Sequence, residues 1–317
     1  MLELAHQATG DGMSAAGQQE SVITEQAILK TVLYSDLFDY PLTPAEIAHF
    51  LIEVPATAES VQQHLREPGW LDGQIVRIDR FITARGRESL VSRRLDRSQT
   101  SDQLWLRARR FVRVLAALPF VRMVGITGAL AMNNSAADDD IDVLLVTAAR
   151  RVWLTRALSI ALVYLGRALG NTLCPNYVIS EDALGLDKHT LFVAHEFSQM
   201  VPVYGFEVYA RMRQVNNWIA AFLPNALQPF RSQSEIRSGF VGRAVKQLGE
   251  WLLSGRLGDR LEAFEMNRKL KKFQPQLNQL DGDAILDQDH VKGHFQDYGL
   301  PVMRLYQSKL KEFKLSE

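Results

Sequence analysis

The stretch from Val124 to Thr147 reads VGITGALAMNNSAADDDIDVLLVT, and its pattern decides the fold of the central part of the chain. An apolar run is followed by a glycine-containing turn, a short helical segment, an acidic loop and a second apolar run. Asp140 and Asp142 stand at the entrance of the second run, with only Ile141 between them. Because side chains alternate across a strand, we predict that both carboxylates project from the same face.

Two carboxylates on one face of a strand repel each other unless a cation lies between them. Mg²⁺ is typically held by one or two carboxylates together with substrate phosphates. Upstream, Gly128 and Ala129 open the short helical segment, whose free backbone N–H groups suit a phosphate, and Thr127 adds a hydroxyl. The stretch therefore predicts a metal site next to a phosphate site, as phosphoryl or nucleotidyl transfer requires.

This stretch resembles the nucleotidyltransferase superfamily related to DNA polymerase beta. The signature of that superfamily is an apolar strand, Gly followed by Gly or Ser, a spacer, and Asp-apolar-Asp/Glu-apolar. Here Gly128-Ala129 are followed, after ten residues, by Asp140-Ile141-Asp142-Val143. The stretches LCPNYVISEDAL and HTLFVAHEFSQMVPVYG are similar to an uncharacterised bacterial branch with an N-terminal winged-helix-like domain. The likeness extends, more weakly, over residues 23–224.

The resemblance implies a chemistry and a set of residues. Asp140 and Asp142 would bind Mg²⁺, and Thr127, Gly128, Ala129 and Asn176 would contact the nucleotide. A nucleoside monophosphate would pass from a nucleoside triphosphate to an unidentified acceptor (a small molecule, a protein or an RNA end), with pyrophosphate leaving. Positioning and charge do most of the work in such reactions.

Two positions depart from the superfamily pattern. Ala129 stands where the family usually has Ser or Gly, so only the backbone N–H remains for a phosphate. The third carboxylate of the family lies on a later strand, and the predicted strand Leu173–Ser180 carries Asn176 at its centre. An amide oxygen can bind a metal but carries no charge. Glu181 or Asp182, just past that strand, is the alternative third acid.

Other polar clusters are interpreted as structural. Asp138 and Asp139 are expected in the loop or the outer shell of the site. His189 and His195 lie six residues apart, on different helix faces, so we assign no metal to them or to Glu196. His290 and His294 share a helical spacing, but no supporting Glu motif accompanies them, and we expect no zinc site there.

Composition limits the classes of partner. The chain has 317 residues, 47% hydrophobic, with 36 basic and 36 acidic residues, so a large core is available and no global attraction to nucleic acid is expected. The single Cys174 fits a reducing compartment. The N-terminus lacks the basic and apolar regions of a signal peptide. We expect a soluble cytoplasmic protein with no membrane partner, for which nucleic acid is possible but not favoured.

The expected fold class is α+β, with a winged helix, a central mixed-sheet nucleotidyltransferase fold and a helical C-terminal region. The predicted segments are a disordered tail (1–21), a winged-helix-like domain (22–100), the nucleotidyltransferase domain (101–230) and the C-terminal region (231–317). Three helices followed by a hairpin near residues 75–83 are typical of a winged helix. The candidate recognition helix, TAESVQQHL, has no Arg or Lys, so we favour docking or packing over DNA binding.

Three functional interpretations remain open from the sequence. The first is a magnesium-dependent nucleotidyltransferase. The second is a catalytically degenerate module that senses nucleotide or docks a partner through the winged helix. The third is the catalytic component of a two-component system, such as a toxin–antitoxin pair. The position of Asn176 or Asp182 relative to the Asp140–Asp142 pair is the observation that best separates the first two.

Overall fold

The computed structural model describes residues 15–167, 173–277, 284–292 and 298–316, and these form an α+β fold with a mixed central sheet. The helices are α1 (Ala15–Asp36), α2 (Pro44–His49), α3 (Ala58–His64), α4 (Leu90–Leu115), α5 (Gly128–Ala131), α6 (Val152–Arg167), α7 (Leu191–Gln199), α8 (Phe206–Val215), α9 (Phe240–Leu253), α10 (Arg256–Leu277) and α11 (Gly299–Glu312). The strands are β1 (Ile75–Ile78), β2 (Phe81–Ala84), β3 (Val121–Ile126), β4 (Ile141–Thr147), β5 (Leu173–Ser180), β6 (Val201–Tyr204), β7 (Ile285–Leu286) and β8 (His290–Lys292).

The central sheet has the strand order β6-β3-β4-β5-β8-β7. Strands β4 and β5 run parallel, and the other neighbours are antiparallel. Because β4 and β5 run in the same direction, residues at their two starts lie side by side, and Asp142 pairs with Cys174. This pairing places the start of β5 next to the predicted acidic pair.

Helices cover both faces of the central sheet. One hydrophobic cluster joins the face carrying Met123, Leu144 and Ile179 to α1, α2, α7, α8 and α11. The other joins the face carrying Val124 and Leu145 to α4, α6 and α10. The N-terminal helices therefore share a hydrophobic core with the sheet, which fixes them against the region where β4 and α5 meet.

The N-terminal segment begins with the element order predicted from the sequence, α1-α2-α3 and then the antiparallel β1–β2 hairpin. Helix α2 begins with a capping box, in which the Thr43 side chain accepts a hydrogen bond from the Glu46 N–H and the Glu46 carboxylate accepts one from the Thr43 N–H. Helix α1 begins at Ala15, so residues 15–21 of the expected tail are helical, whereas residues 1–14 lie outside the described part.

The region after residue 230 differs from the wholly helical expectation. Strands β7 and β8 form a hairpin there, and β8 pairs with β5 in the central sheet. The sequence does not predict strand β6, because four residues containing Pro202 give too short a pattern. Proline suits the sheet edge where β6 lies. His294 lies outside the described residues.

Within the described residues, no helix has both the length and the apolar character needed to cross a bilayer.

Candidate functional site

A cavity of about 500 Å³ opens where β4 and β5 begin. Of the predicted site residues, Thr127, Gly128, Asp140, Asp142 and Asn176 line it. The sheet supplies the floor, and α7 supplies one wall. The structure therefore brings together five of the six residues that the sequence predicted for the site.

The turn before α5 lies directly against Asp142. The Thr127 N–H donates a hydrogen bond to the Asp142 carbonyl oxygen at 3.0 Å. Gly128 has a φ of +63°, and a Cβ atom at this position would lie 2.5 Å from Asp142 Oδ2. Only glycine permits this approach without strain, so the glycine of the signature keeps space for the Asp142 carboxylate.

Asn176 reaches the same carboxylate because of an irregularity in β5. The register pairs Val143 with Pro175 and Leu144 with Tyr177, so Asn176 is the extra residue of a bulge. Its Nδ2 donates a hydrogen bond to Asp142 Oδ1, and its Oδ1 accepts one from the Cys174 thiol at 2.9 Å. Asn176 therefore holds Asp142 in one orientation.

The Asp142 carboxyl carries an unfavourable charge environment. Burial raises its pKa to about 6, the hydrogen bond from Asn176 opposes this shift, and the nearby Asp140 and Asp139 add to it. Burial and the neighbouring carboxylates therefore disfavour the charged form of Asp142. A hard divalent cation with a preference for oxygen ligands would supply a compensating positive charge, so the carboxylates fit Mg²⁺ by donor type.

Glu196 on α7 lies in the same cavity as Asp140 and Asp142, a position that the sequence did not predict. Its side chain is exposed to the solvent inside this cavity, and protein surrounds the cavity. Burial and the charge of Asp142 raise its pKa to about 7, and Lys292 opposes the shift. A signal was present in the sequence, because Glu196 interrupts the inward-facing positions Val193, Phe197 and Met200 of an amphipathic helix.

Cations and aromatic rings complete the cavity. Lys188 and Lys292 line it together with Tyr177 and Phe192. The Lys292 ammonium lies 6.0 Å from the centroid of the Tyr177 ring. Ammonium groups bind phosphate oxygens as point charges, and aromatic rings provide stacking surfaces for bases. The cavity thus combines acidic, basic and aromatic groups in one space.

Ala129 lines a neighbouring cavity of about 340 Å³, which shares Gly128 and Glu196 with the main one. Arg97 from α4 and Asp139 also line it. Asp139 accepts a hydrogen bond from the Ala136 N–H at 2.8 Å, so it shapes the acidic loop. Gly128 and Glu196 therefore lie between two neighbouring cavities.

The alternative third acids are not at the site. Because β4 and β5 are parallel, Ser180 pairs with Thr147 at the far end of the strands, about 16 Å from the level of Asp142. Glu181 follows Ser180 and forms ion pairs with Arg122 and Arg211. The suggestion that Glu181 or Asp182 replaces the family's third carboxylate is therefore wrong for Glu181, and Asp182 does not line the cavity.

The histidines of α7 and its N-terminal flank pack against rings. His195 is buried and stacks on Tyr34 at 4.0 Å, and burial lowers its pKa to about 3. His189 stacks on Trp218 at 4.3 Å. Within the part of the chain that the structure describes, no three His, Cys, Asp or Glu side chains are already gathered as a metal site.

No family model matches the chain, and neither a curated protein nor a solved structure matches it.

We expect Gly128→Ala to damage the site. The new Cβ meets the Asp142 carboxylate and must adopt a positive φ, which costs about 1–2 kcal/mol. The sequence predicts a nucleotide as the ligand, so any thermal stabilisation by a nucleotide should also be lost in this variant. Gly73→Ala is the matched control, because nothing lies within 4 Å of its added Cβ. Unchanged nucleotide binding in Gly128→Ala would contradict a role for this turn.

Proposed function

We propose that the protein is a magnesium-dependent nucleotidyltransferase that moves a nucleoside monophosphate from a nucleoside triphosphate to an acceptor. The observation that supports this most strongly is the packing of the Gly128 turn against Asp142 at the mouth of a cavity lined by Asp140, Asn176 and Glu196. In this arrangement, a carboxylate pair that needs a cation lies next to a backbone turn that suits a phosphate. The resemblance of this stretch to the DNA polymerase beta superfamily supports the same assignment.

Each group has a task in the proposed reaction. Asp140 and Asp142 would hold Mg²⁺, which when bound supplies positive charge to the triphosphate and favours the alkoxide form of the acceptor hydroxyl. Asn176 keeps Asp142 oriented. The backbone N–H groups of Gly128 and Ala129 would bind the terminal phosphates, although α5 has a single turn and contributes only a small dipole.

The remaining cavity walls fit the other parts of the substrate. Lys188 and Lys292 would bind phosphate oxygens, and Tyr177 or Phe192 would stack on the base. Glu196 would act from α7 as a proton acceptor, a role that the neutral Asn176 cannot take. Its pKa of about 7 suits a group that accepts the proton of the acceptor hydroxyl near neutral pH.

We further propose that the N-terminal segment is a winged-helix-like docking unit and not a DNA reader. Helix α3, in the position of a recognition helix, buries only Val61 and carries no Arg or Lys. A helix that enters a DNA groove needs positive charge near the phosphates. Electrophoretic mobility shift with random duplex DNA should show no complex at physiological salt.

The function is tested by incubating the protein with each of the four nucleoside triphosphates and Mg²⁺, and by measuring pyrophosphate release and label transfer. We expect release with at least one triphosphate, supported by a rise in melting temperature that requires both nucleotide and Mg²⁺. Nucleotide binding without any pyrophosphate release would support the sensing alternative, for which the neutral Asn176 is the favouring observation. Absence of both would overturn the proposal.

The raised pKa values of Asp142 and Glu196 predict a pH dependence of stability. Since the folded state keeps protons that the unfolded state has lost, stability without metal should fall as pH rises from about 4, the ordinary pKa of these acids, to about 7. The lowered pKa of His195 makes stability rise with pH, which opposes this effect. The informative quantity is therefore the difference in stability between wild type and a variant at each pH.

Glu196→Gln should therefore flatten this pH dependence, measured as melting temperature in chelator at pH 6 and pH 8. The melting temperature of the variant should exceed that of the wild type by the largest amount at pH 8. Glu207→Gln, exposed on α8 outside the cavity, is the control and should follow the wild-type curve. If the melting temperatures of wild type and Glu196→Gln changed equally with pH, Glu196 would not have the raised pKa that this prediction requires.

A further inference from the structure

Helix α9 packs on the body of the protein through its small and polar side. A Cβ atom on Gly242 would lie 3.2 Å from the Cβ of Ala117, and Gly249 packs on the Pro119 ring. The Lys246 ammonium donates hydrogen bonds to the Val121 carbonyl oxygen and, at 2.9 Å, to the Tyr204 hydroxyl. Glu250 accepts one from the Phe120 N–H at 2.9 Å. These residues lie on one side of the helix and define the face that touches the protein.

The opposite side of α9 is apolar and open. We define the α9 face as the large apolar residues that are 53 to 80% exposed: Phe240, Val241, Val245, Leu248, Trp251 and Leu252. At about 100° per residue they fall within an arc of about 140°, together with Ala244. That arc contains no charged residue, and no residue of α9 is buried. The orientation is the reverse of an ordinary surface helix, which turns its apolar side inward.

The size of the α9 face is that of a protein interface. Taking roughly 150–250 Å² for a fully exposed large apolar residue, the six exposed fractions amount to on the order of 700 Å². The largest apolar patch of a typical monomer is about 300–600 Å². A stable complex buries about 800 Å² on each partner. The exposed apolar area of the α9 face is thus close to the area that each partner buries in a stable dimer.

We propose that a second copy of this chain covers the α9 face in an isologous dimer. A twofold axis places the same patch on both partners, and an uncharged patch meets itself without repulsion between like charges. The helix lacks the Lys/Arg-rich polar side of helices that bind bilayer surfaces. Of its two basic residues, Lys246 is turned into the body, which leaves Arg243 exposed.

Light scattering coupled to size-exclusion chromatography tests the proposal. The wild-type chain should elute with twice the chain mass, and Leu248→Glu should elute as a monomer with an unchanged circular dichroism spectrum. Leu106→Glu is the matched control, because Leu106 is also exposed but lies on α4, and this variant should remain dimeric. A monomeric wild type at micromolar concentration would overturn the proposal. If that monomer sedimented with anionic phosphatidylserine vesicles, the face would belong to a bilayer instead.

A cross-link tests the twofold geometry independently. In a Cys174→Ser background, which removes the native thiol, Leu248→Cys should form a disulfide-linked dimer on mild oxidation, since Leu248 lies near the middle of the α9 face. Cysteine at Leu106 in the same background should give little cross-linked product. Equal yields from both positions would contradict an interface centred on α9.

Discussion

Asp142→Asn should lower the rate of the proposed nucleotidyl transfer by about 10³-fold or more, because the loss of one of the two carboxylates proposed to hold Mg²⁺ removes several kcal/mol of charge stabilisation. The substitution keeps the size of the side chain and an oxygen that can accept the hydrogen bond from Asn176. The same variant should melt at a higher temperature than wild type in chelator at pH 8, since it no longer places a buried negative charge beside Asp140. Pyrophosphate release and thermal melting measure the two effects.

The control for this substitution is Asp138→Asn, which changes an exposed acid in the same loop that does not line the cavity. Its transfer rate should stay within a few-fold of wild type. Opposite movement of activity and stability in Asp142→Asn is typical of a site whose charges are arranged for a ligand at a cost in stability. If Asp142→Asn kept more than a tenth of the wild-type transfer rate, the carboxylate pair would not have the role proposed for it in the reaction.

Arg94→Ala should destabilise the protein by about 3–5 kcal/mol, because it leaves the Glu46 carboxylate buried without its main partner. Arg94 and Glu46 are 6% and 2% exposed, their side chains meet at 2.9 Å, and Arg94 lies 3.5 Å from the centroid of the Tyr40 ring. Burial disfavours the charged form of Glu46, but Arg94 and the Thr43 N–H outweigh it, so its pKa lies below the usual value. Denaturant unfolding gives the free energy.

Arg93→Ala provides the comparison for this prediction. Arg93 forms its ion pair with Asp39 at 2.6 Å at an exposed position, so its loss should cost less than about 1 kcal/mol. Equal costs for the two variants would show that burial does not govern these pairs. Glu46→Gln combined with Arg94→Met should recover part of the loss, because no charge then remains buried.

The Glu46 network also reaches the proposed site. The Tyr40 hydroxyl, which has one proton to donate, lies within hydrogen-bond distance of Glu46 Oε1 at 2.7 Å and of the carbonyl oxygen of Met132, just after α5, at 2.9 Å. Arg231 contacts the same carboxylate at 3.4 Å. The N-terminal segment therefore holds the end of the Gly128 turn, and Arg94→Ala should weaken nucleotide binding as well as stability.

Local patterns were sufficient for several features. The apolar run Leu173–Ser180 predicted β5 at its observed limits, and the residues Thr43-Pro44-Ala45-Glu46 form the capping box that begins α2. The spacing of Asp140 and Asp142 predicted two acids at the entrance of a strand. These features depend on residues close together in the chain, where alternation and capping act directly.

Contacts between distant segments set the rest. Asn176 meets Asp142 because a bulge in β5 shifts the register against β4, and Glu196 meets the same cavity because α7 packs on the sheet. The outward α9 face arises because Gly242 and Gly249 allow α9 to lie close to Ala117 and Pro119. In the chain itself, then, adjacent residues determined the strands, the cap and the acidic pair. The tertiary structure decided which other side chains line the cavity and which surface stays open, since packing depends on segments whose separation in sequence carries no periodic signal.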